Sequence, residues 1–198
     1  MGEPARARAA ILALSAALAV VTFAARAGAN DGAQPRVNAE AALAAEFTRR
    51  VAEYVALHNK VEDTLPKLPK DANPEQIDRH QRELGRLIMK ARSTAKAGDI
   101  FTKEIRAYFR RQIAAAFAGP EGGKLKASIM DENPGAIRLA VNGRYPDSVP
   151  LATMPPQVLA ELPRLPDDLE YRFIASRLIL LDVHAHIIVD YIDDALPD

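Results

Sequence analysis

Apolar and polar positions follow two different rhythms along this chain. Between residues 37 and 119, apolar side chains recur every three or four positions, the period of helices with one buried face. Leu43, Phe47, Val51, Tyr54, His58, Val61 and Leu65 define the first stripe. Asn38 is the expected N-cap, with Val37 just outside it, and Pro66 and Pro69 are the expected stops. Asn73, Pro74 and Gln76 spell a capping box for a second helix, whose apolar face is Ile77, His80, Leu84, Leu87, Ile88 and Ala91. Gly85 inside it costs about 1 kcal/mol relative to Ala, which close approach of a neighbouring helix would explain. Gly98 is the expected C′ residue. Asp99 or Thr102 opens a third helix, where Ile105, Phe109, Ile113 and Phe117 fall on one side before Gly119-Pro120 closes it. Arg106, Arg110 and Arg111 around Phe109 read as a solvated surface.

After residue 119 the rhythm changes. Glu121-Gly122-Gly123 is flexible in character, and Leu125–Glu132 suits a short fourth helix. Asn133-Pro134-Gly135 is a turn signal. Ile137, Leu139 and Val141 alternate with polar or small residues as a strand does, and Asn142-Gly143 is a hairpin signal. A Pro-rich stretch follows, in which Thr153 can cap a short helix through Val158, Leu159 and Leu162. The densest apolar segment comes last. Leu169, Tyr171 and Phe173 alternate with Glu170 and Arg172; Leu178–Leu181 and Ile187–Ile192 are further runs rich in branched residues. The segment reads as a three-stranded antiparallel meander. A helix over Leu178–Ile192 is the alternative, but its apolar residues fall on too many sides to make one stripe.

The fold class expected is α+β: an N-terminal antiparallel helical hairpin or bundle packed against a small C-terminal antiparallel sheet. The divisions are a signal peptide (1–29), a lead-in without structure (30–36), a helical region (37–119), a linker with a short helix (120–136), a small α+β region (137–192) and a tail (193–198). Phe173, Leu180 and Val189 are expected in the core, with Arg172 and Asp190 wet.

The signal peptide is read from Arg6 and Arg8, an uncharged run from Ala9 to Ala25, and Ala27-Gly28-Ala29 as a cleavage motif. The uncharged run is shorter than the roughly 20 apolar residues that a span requires, so no stable membrane span is expected after cleavage. Removing residues 1–29 takes Arg6, Arg8 and Arg26 against Glu3, and a formal charge of zero becomes −2. That balance gives no grip on a phosphate backbone, so nucleic acid is not expected as a partner. The chain has no Cys, which excludes disulfides, thiolate catalysis and Cys-ligated zinc. The expected location is the periplasm or outside the cell.

The run NPGAIRLAVNGRYPDSVPLATMPPQVLAELPRLPDDLEYRF, followed by LILLDVHAHIIVDYI, resembles a group of uncharacterised exported bacterial proteins. The resemblance covers Val37–Pro197 and is most distinctive over Asn142–Tyr171. It implies a signal peptide, a helical middle and a C-terminal meander, and carries no assigned activity. His186 stands where such sequences have a turn Asn.

No hydrolase elbow, phosphate loop, H-E-x-x-H or paired-carboxylate motif is present. The favoured reading is therefore a non-enzymatic exported protein that binds, or helps build, an unidentified component of the cell envelope, with no cofactor and no catalytic residue assigned. Arg144 and Tyr145, projected by the Asn142-Gly143 turn, are the binding candidates. The alternative is a metal-binding module or metal-dependent enzyme using zinc or another divalent ion, with two possible ligand sets. One is His58 and Glu62 from the first helix with His80 and Glu83 from the second, which meet if those helices pack antiparallel. The other is Asp182, His184 and His186, spaced to share one face of a strand. Their bland counterparts are partly buried histidines bonded to Tyr54 or a carbonyl, and polar residues of a solvated connection. N-terminal sequencing of the native protein should give Asn30 first; retention of Met1 would refute the export reading.

Overall fold

Each helix forms where its stripe and caps predict, within a few residues. Helix α1 (Gln34–Glu62) starts upstream of Asn38, which is helical rather than a cap, and it takes in part of the expected lead-in. Helix α2 (Pro74–Ala91) carries the full capping box: Asn73 accepts from the Gln76 N–H at 2.9 Å, and Gln76 accepts from the Asn73 N–H at 2.9 Å. It ends at Ala91, well before Gly98. Thr102 caps α3 (Lys103–Phe117). Helix α4 spans Gly122–Asp131 and α5 spans Pro156–Glu161, the latter capped by Pro155 without a side-chain bond rather than by Thr153. The computed structural model describes residues 34–131 and 138–197, with side chains from residue 38. The signal run, the cleavage site and Asn133-Pro134-Gly135 lie outside the described residues. No helix among those described is long and apolar enough to cross a membrane.

Strands β1 (Leu169–Ile174), β2 (Arg177–Asp182) and β3 (Ile187–Ile192) form the antiparallel meander, in the order β1-β2-β3. One sheet face joins the helices in a single core. Phe47 and Val51 of α1, Leu84 and Ile88 of α2, and Ile105, Phe109 and Ile113 of α3 meet Tyr171, Phe173, Leu178, Leu180, Val189 and Ile192. The other face, with Ile174, Ile179, Leu181 and Ile188, is covered by Tyr145, Leu139 and Val149. That covering segment is not the expected hairpin. Among the described residues 138–141 form no strand, and Arg144 makes only an isolated bridge to Ile187. Asn142 adopts a left-handed φ of 61° and is used differently. Its side chain accepts from Arg92 at 2.6 Å and donates to the Arg92 carbonyl at 3.0 Å, fastening the segment to the end of α2.

Gly85 does mark a close approach, though to the sheet rather than to a helix. A Cβ there would lie 3.1 Å from Ile187 Cγ2 and 3.2 Å from the Ala185 carbonyl oxygen. Arg110 is also committed, donating to the carbonyls of Asp193 and Asp194 at 2.7 and 3.0 Å.

Asp190 is fully buried rather than wet. The reason is a bulge: Leu180 pairs with Asp190 while Leu181 pairs with Ile188, so Val189 has no partner across the ladder. The extra residue turns Asp190 onto the helix-facing side. There its carboxylate accepts from the N–H groups of Gly98 (3.0 Å), Ile100 (2.8 Å), Phe101 (2.9 Å) and Tyr191 (2.8 Å). Gly98 reaches it with φ +96°, a conformation that side-chain-bearing residues rarely adopt. Asp190→Ala should lower the unfolding free energy by more than about 3 kcal/mol, because several buried donors lose their acceptor. Leu180→Ala should cost about 2–5 kcal/mol as a buried cavity. Denaturant melts followed by far-UV circular dichroism measure both.

Candidate metal centre

Tyr54, His58 and Glu62 stand four residues apart on α1 and so form one row along its surface. The lower half of that row meets the end of β2. Asp182, completely buried, accepts from the Tyr54 hydroxyl at 2.5 Å, from His58 Nδ1 at 2.6 Å and from the Ala185 N–H at 2.7 Å. The third bond folds residues 183–186 back on themselves, and His184 projects from that turn over the end of α1. Its Nδ1 lies 3.4 Å from Glu62 Oε1, and its ring is 5.6 Å from that of His58. His58 Nε2 lies 3.2 Å from Glu62 Oε2. The His58, Glu62 and His184 ligand atoms are all within 4.8 Å of one another. Two further groups border them. His80 Nε2 is 3.6 Å from Glu62 Oε1, and Asp168 Oδ1, just before β1, is 3.9 Å from His184 Nδ1.

The hydrogen bonds fix the chemistry of His58. A carboxylate can only accept, so Nδ1 carries the proton toward Asp182. In the neutral ring Nε2 then offers a lone pair, and what it faces is a second carboxylate, Glu62. Two bare acceptors at 3.2 Å are relieved by a proton on the imidazole or on the carboxyl, or by a metal ion between them. Carboxylate–histidine–metal chains have this geometry, the carboxylate setting the tautomer and raising ligand basicity. The spacings suit it, since a tetrahedral zinc ion with bonds of about 2.0–2.1 Å holds its ligand atoms about 3.3 Å apart.

Electrostatics favour a positive charge on His58 beside an ionised Glu62. Burial works to depress the His58 pKa, but the bond to and charge of Asp182, with Glu62 adding to them, outweigh it, and the net shift is upward from 6.5. Burial would raise Glu62, yet the neighbouring His184 and His58 carry it below its ordinary value. Tyr54 is pushed well above 10 by burial and by Asp182. The Arg92 guanidinium lies over the Tyr54 ring, 4.9 Å from its centre, closing the far side of the chain.

Of the residues singled out from the sequence, the structure joins one part of each rival metal set. His58, Glu62 and His80 from the helical set meet Asp182 and His184 from the strand set. Glu83 is not among them; it pairs with Arg86 at 2.6 Å on an exposed side of α2. His186 is not either. The residues 183–186 form a turn, so Asp182, His184 and His186 do not share a strand face, and His186 sits against Tyr145 and 3.7 Å from Asp147. Its φ of 54° is the left-handed conformation that a turn Asn favours. Tyr145 is buried, with its hydroxyl donating to the Pro150 carbonyl at 3.1 Å, and Arg144 pairs with Asp147 at 2.8 Å and Asp78 at 3.0 Å. Both are engaged in holding their segment against α2 and β3. Asp168 was not anticipated; no local pattern distinguishes it from Asp167. Comparison with protein families, curated proteins and solved structures gives no match.

The folded-state His58 binds its proton more tightly than the unfolded chain does, so its contribution to stability is full below about pH 6.5 and is lost as pH rises through the higher folded pKa. Metal-free protein should therefore lose stability as pH is raised above about 6.5, and His58→Gln should remove that slope. Chemical denaturation across this range in the presence of chelator measures it. An unchanged slope in the variant would place the titration elsewhere.

Proposed function

We propose that the protein binds a divalent metal ion of borderline character, zinc foremost, through His58, Glu62 and His184. The observation that carries the proposal is the position of His58 Nε2, 3.2 Å from the Glu62 carboxylate, on a ring whose Nδ1 is bonded to buried Asp182. Two imidazoles and one carboxylate are a ligand set that zinc, cobalt and nickel accept. His58 and Glu62 lie one turn apart, Glu62 at the last residue of α1. Asp182, Tyr54 and Arg92 are the supporting layer behind the first ligand.

The proposal includes export. Arg6, Arg8, the uncharged run and Ala27-Gly28-Ala29 support it, and in that compartment a site made of His and Glu without Cys needs no reducing environment. An envelope binding or structural role is compatible with such a centre; the metal would then fasten the β2–β3 turn to α1.

Untagged protein stripped with chelator and titrated calorimetrically with zinc should bind about one equivalent and melt at a higher temperature, by about 2.7 kcal/mol of added stability at a hundredfold excess over Kd. His58→Ala or His184→Ala should abolish stoichiometric binding. Asp182→Asn should weaken it about 10–100-fold while the two direct histidines remain. Binding should fade on acidification, because a protonated imidazole is no ligand. Absence of stoichiometric binding at neutral pH, with no change in melting temperature, would refute the proposal and leave His58 as an imidazolium held between Asp182 and Glu62.

A further inference from the structure

We infer that the chain forms a two-fold dimer by pairing β1 with β1 of a second copy, antiparallel and centred on Tyr171. The inference is independent of the metal reading. It starts from the unequal edges of the sheet. The outer edge of β3 is engaged: Ile188 exchanges bonds with Asn142 and Gly143 at 2.7 and 2.8 Å, and the Tyr145 N–H donates to the His186 carbonyl at 2.9 Å. The outer edge of β1 pairs with no strand or bridge among the described residues. Its free groups follow from the ladder. Ile174 and Arg177 close a two-residue turn, and the Val183 N–H donates to the Asp168 carbonyl at 3.0 Å, so the even-numbered residues bond to β2. The main-chain groups of Leu169, Tyr171 and Phe173 therefore point outward. Two bonds agree: the Leu169 N–H donates to the Pro166 carbonyl at 3.0 Å, and the Tyr171 carbonyl accepts from the Arg172 side chain at 3.3 Å. Such an edge is a template for a further strand.

A cavity of about 390 Å³ lies along this edge. Leu169 and Tyr171 line it from one sheet face and Glu170 and Arg172 from the other, so it sits beside the strand and not over either face. Its far wall includes Leu159, 45% exposed, and Arg164. The charges of β1 select the occupant. Glu170 and Arg172 flank Tyr171, project on the same side and pair within the chain, with side chains 41% and 20% exposed. When two copies pair antiparallel with Tyr171 opposite Tyr171, Glu170 of each comes opposite Arg172 of the other, and both cross-strand pairs join opposite charges. Tyr171 has the outward parity that this register needs for its N–H and carbonyl to bond across the joint. Moving the centre by one residue, to Glu170 or to Arg172, sets like charges face to face. Arg172 Nε is enclosed without an acceptor among the described residues, so turning the guanidinium toward Glu170 of the other copy gains a bond. One edge meeting its own copy is a closed contact, which builds a dimer and not a fibre.

The test is sedimentation equilibrium of the mature chain in the presence of chelator, with far-UV circular dichroism to confirm that each variant is folded. The unaltered chain should reach twice the monomer mass as its concentration rises. Arg172→Glu and Glu170→Arg should each raise the dissociation constant by more than about 100-fold, because each sets like charges opposite one another at two places. Mixed together, the two variants should form a heterodimer, since every facing pair is again Glu with Arg. The double swap, Glu170→Arg with Arg172→Glu, keeps the pair within the chain as well and should dimerise alone. A monomer at every concentration overturns the inference. Hydrogen exchange at the Tyr171 and Phe173 amides then identifies what takes the place of the second copy: slow exchange means that the edge is covered from within the chain, fast exchange that it is open to another protein. A dimer that both single variants retain is joined through a different face and overturns the inference equally.

Discussion

A carboxylate without access to water must find its donors inside the protein, and that requirement at Asp182 organises much of this structure. Its three donors come from two elements. Tyr54 and His58 are on α1, and Ala185 is in the turn that follows β2. Satisfying the first two sets the rotation of α1 about its own axis against the sheet. Satisfying the third curls residues 183–186 inward at Ala185 and outward at His184. The placement of His184 over Glu62 is thus a consequence of how a buried charge at the strand end is neutralised. Removing Asp182 would leave Tyr54 and His58 without their acceptor and the turn without its anchor.

Asp190 poses the same problem eight residues later and is solved by different means. Its donors are backbone N–H groups from the loop between α2 and α3 and from its own strand. A backbone amide has no second functional end, so nothing lies beyond that cluster except the fold. The His58 imidazole does have one. A proton donated to Asp182 through Nδ1 orients the ring and leaves Nε2, some two ångströms away across it, facing Glu62. Two equally buried aspartates therefore differ in what they hold: one fastens a loop to a bulged strand, the other orients an imidazole whose second nitrogen faces Glu62.

The helices and the meander were legible because their periods, caps and turn residues are local. Asn73-Pro74-Gln76 and Thr102 open their helices as written, and Leu169–Ile192 pairs as three strands. The burial of Asp190 was hidden because it depends on a bulge, and simple alternation along β3 puts position 190 on the outer face. The candidate site was half legible. His58, Glu62 and His80 could be placed on helix faces, and His184 near a turn, but the step that joins them is a contact between residues 58 and 182. No periodicity encodes a pairing across 124 positions. One local sign was available: Tyr54, His58 and Glu62 recur every four residues on an otherwise apolar stripe, a row of polar-tipped side chains where only core residues were needed. Arg144 and Tyr145 are not projected as a hairpin turn would have them. Asn142-Gly143 does turn the chain, but the residues after it are drawn back onto β3 and α2 rather than projected.

The division of labour between rigid and adaptable parts decides what kind of centre this arrangement supports. His58 is held by the helix and by Asp182, whereas Glu62 is the last residue of α1 and its side chain is partly exposed. His184 stands on a four-residue turn whose backbone is held at Ala185 but whose own side chain reaches into solvent. A cluster with one buried member and two at the surface is open to solvent on one side only. A fully enclosed set would surrender that access for strength. The fold thus places its most buried carboxylates, Asp182 and Asp190, where they position other elements, and leaves Glu62 and His184 at the surface edge of the cluster.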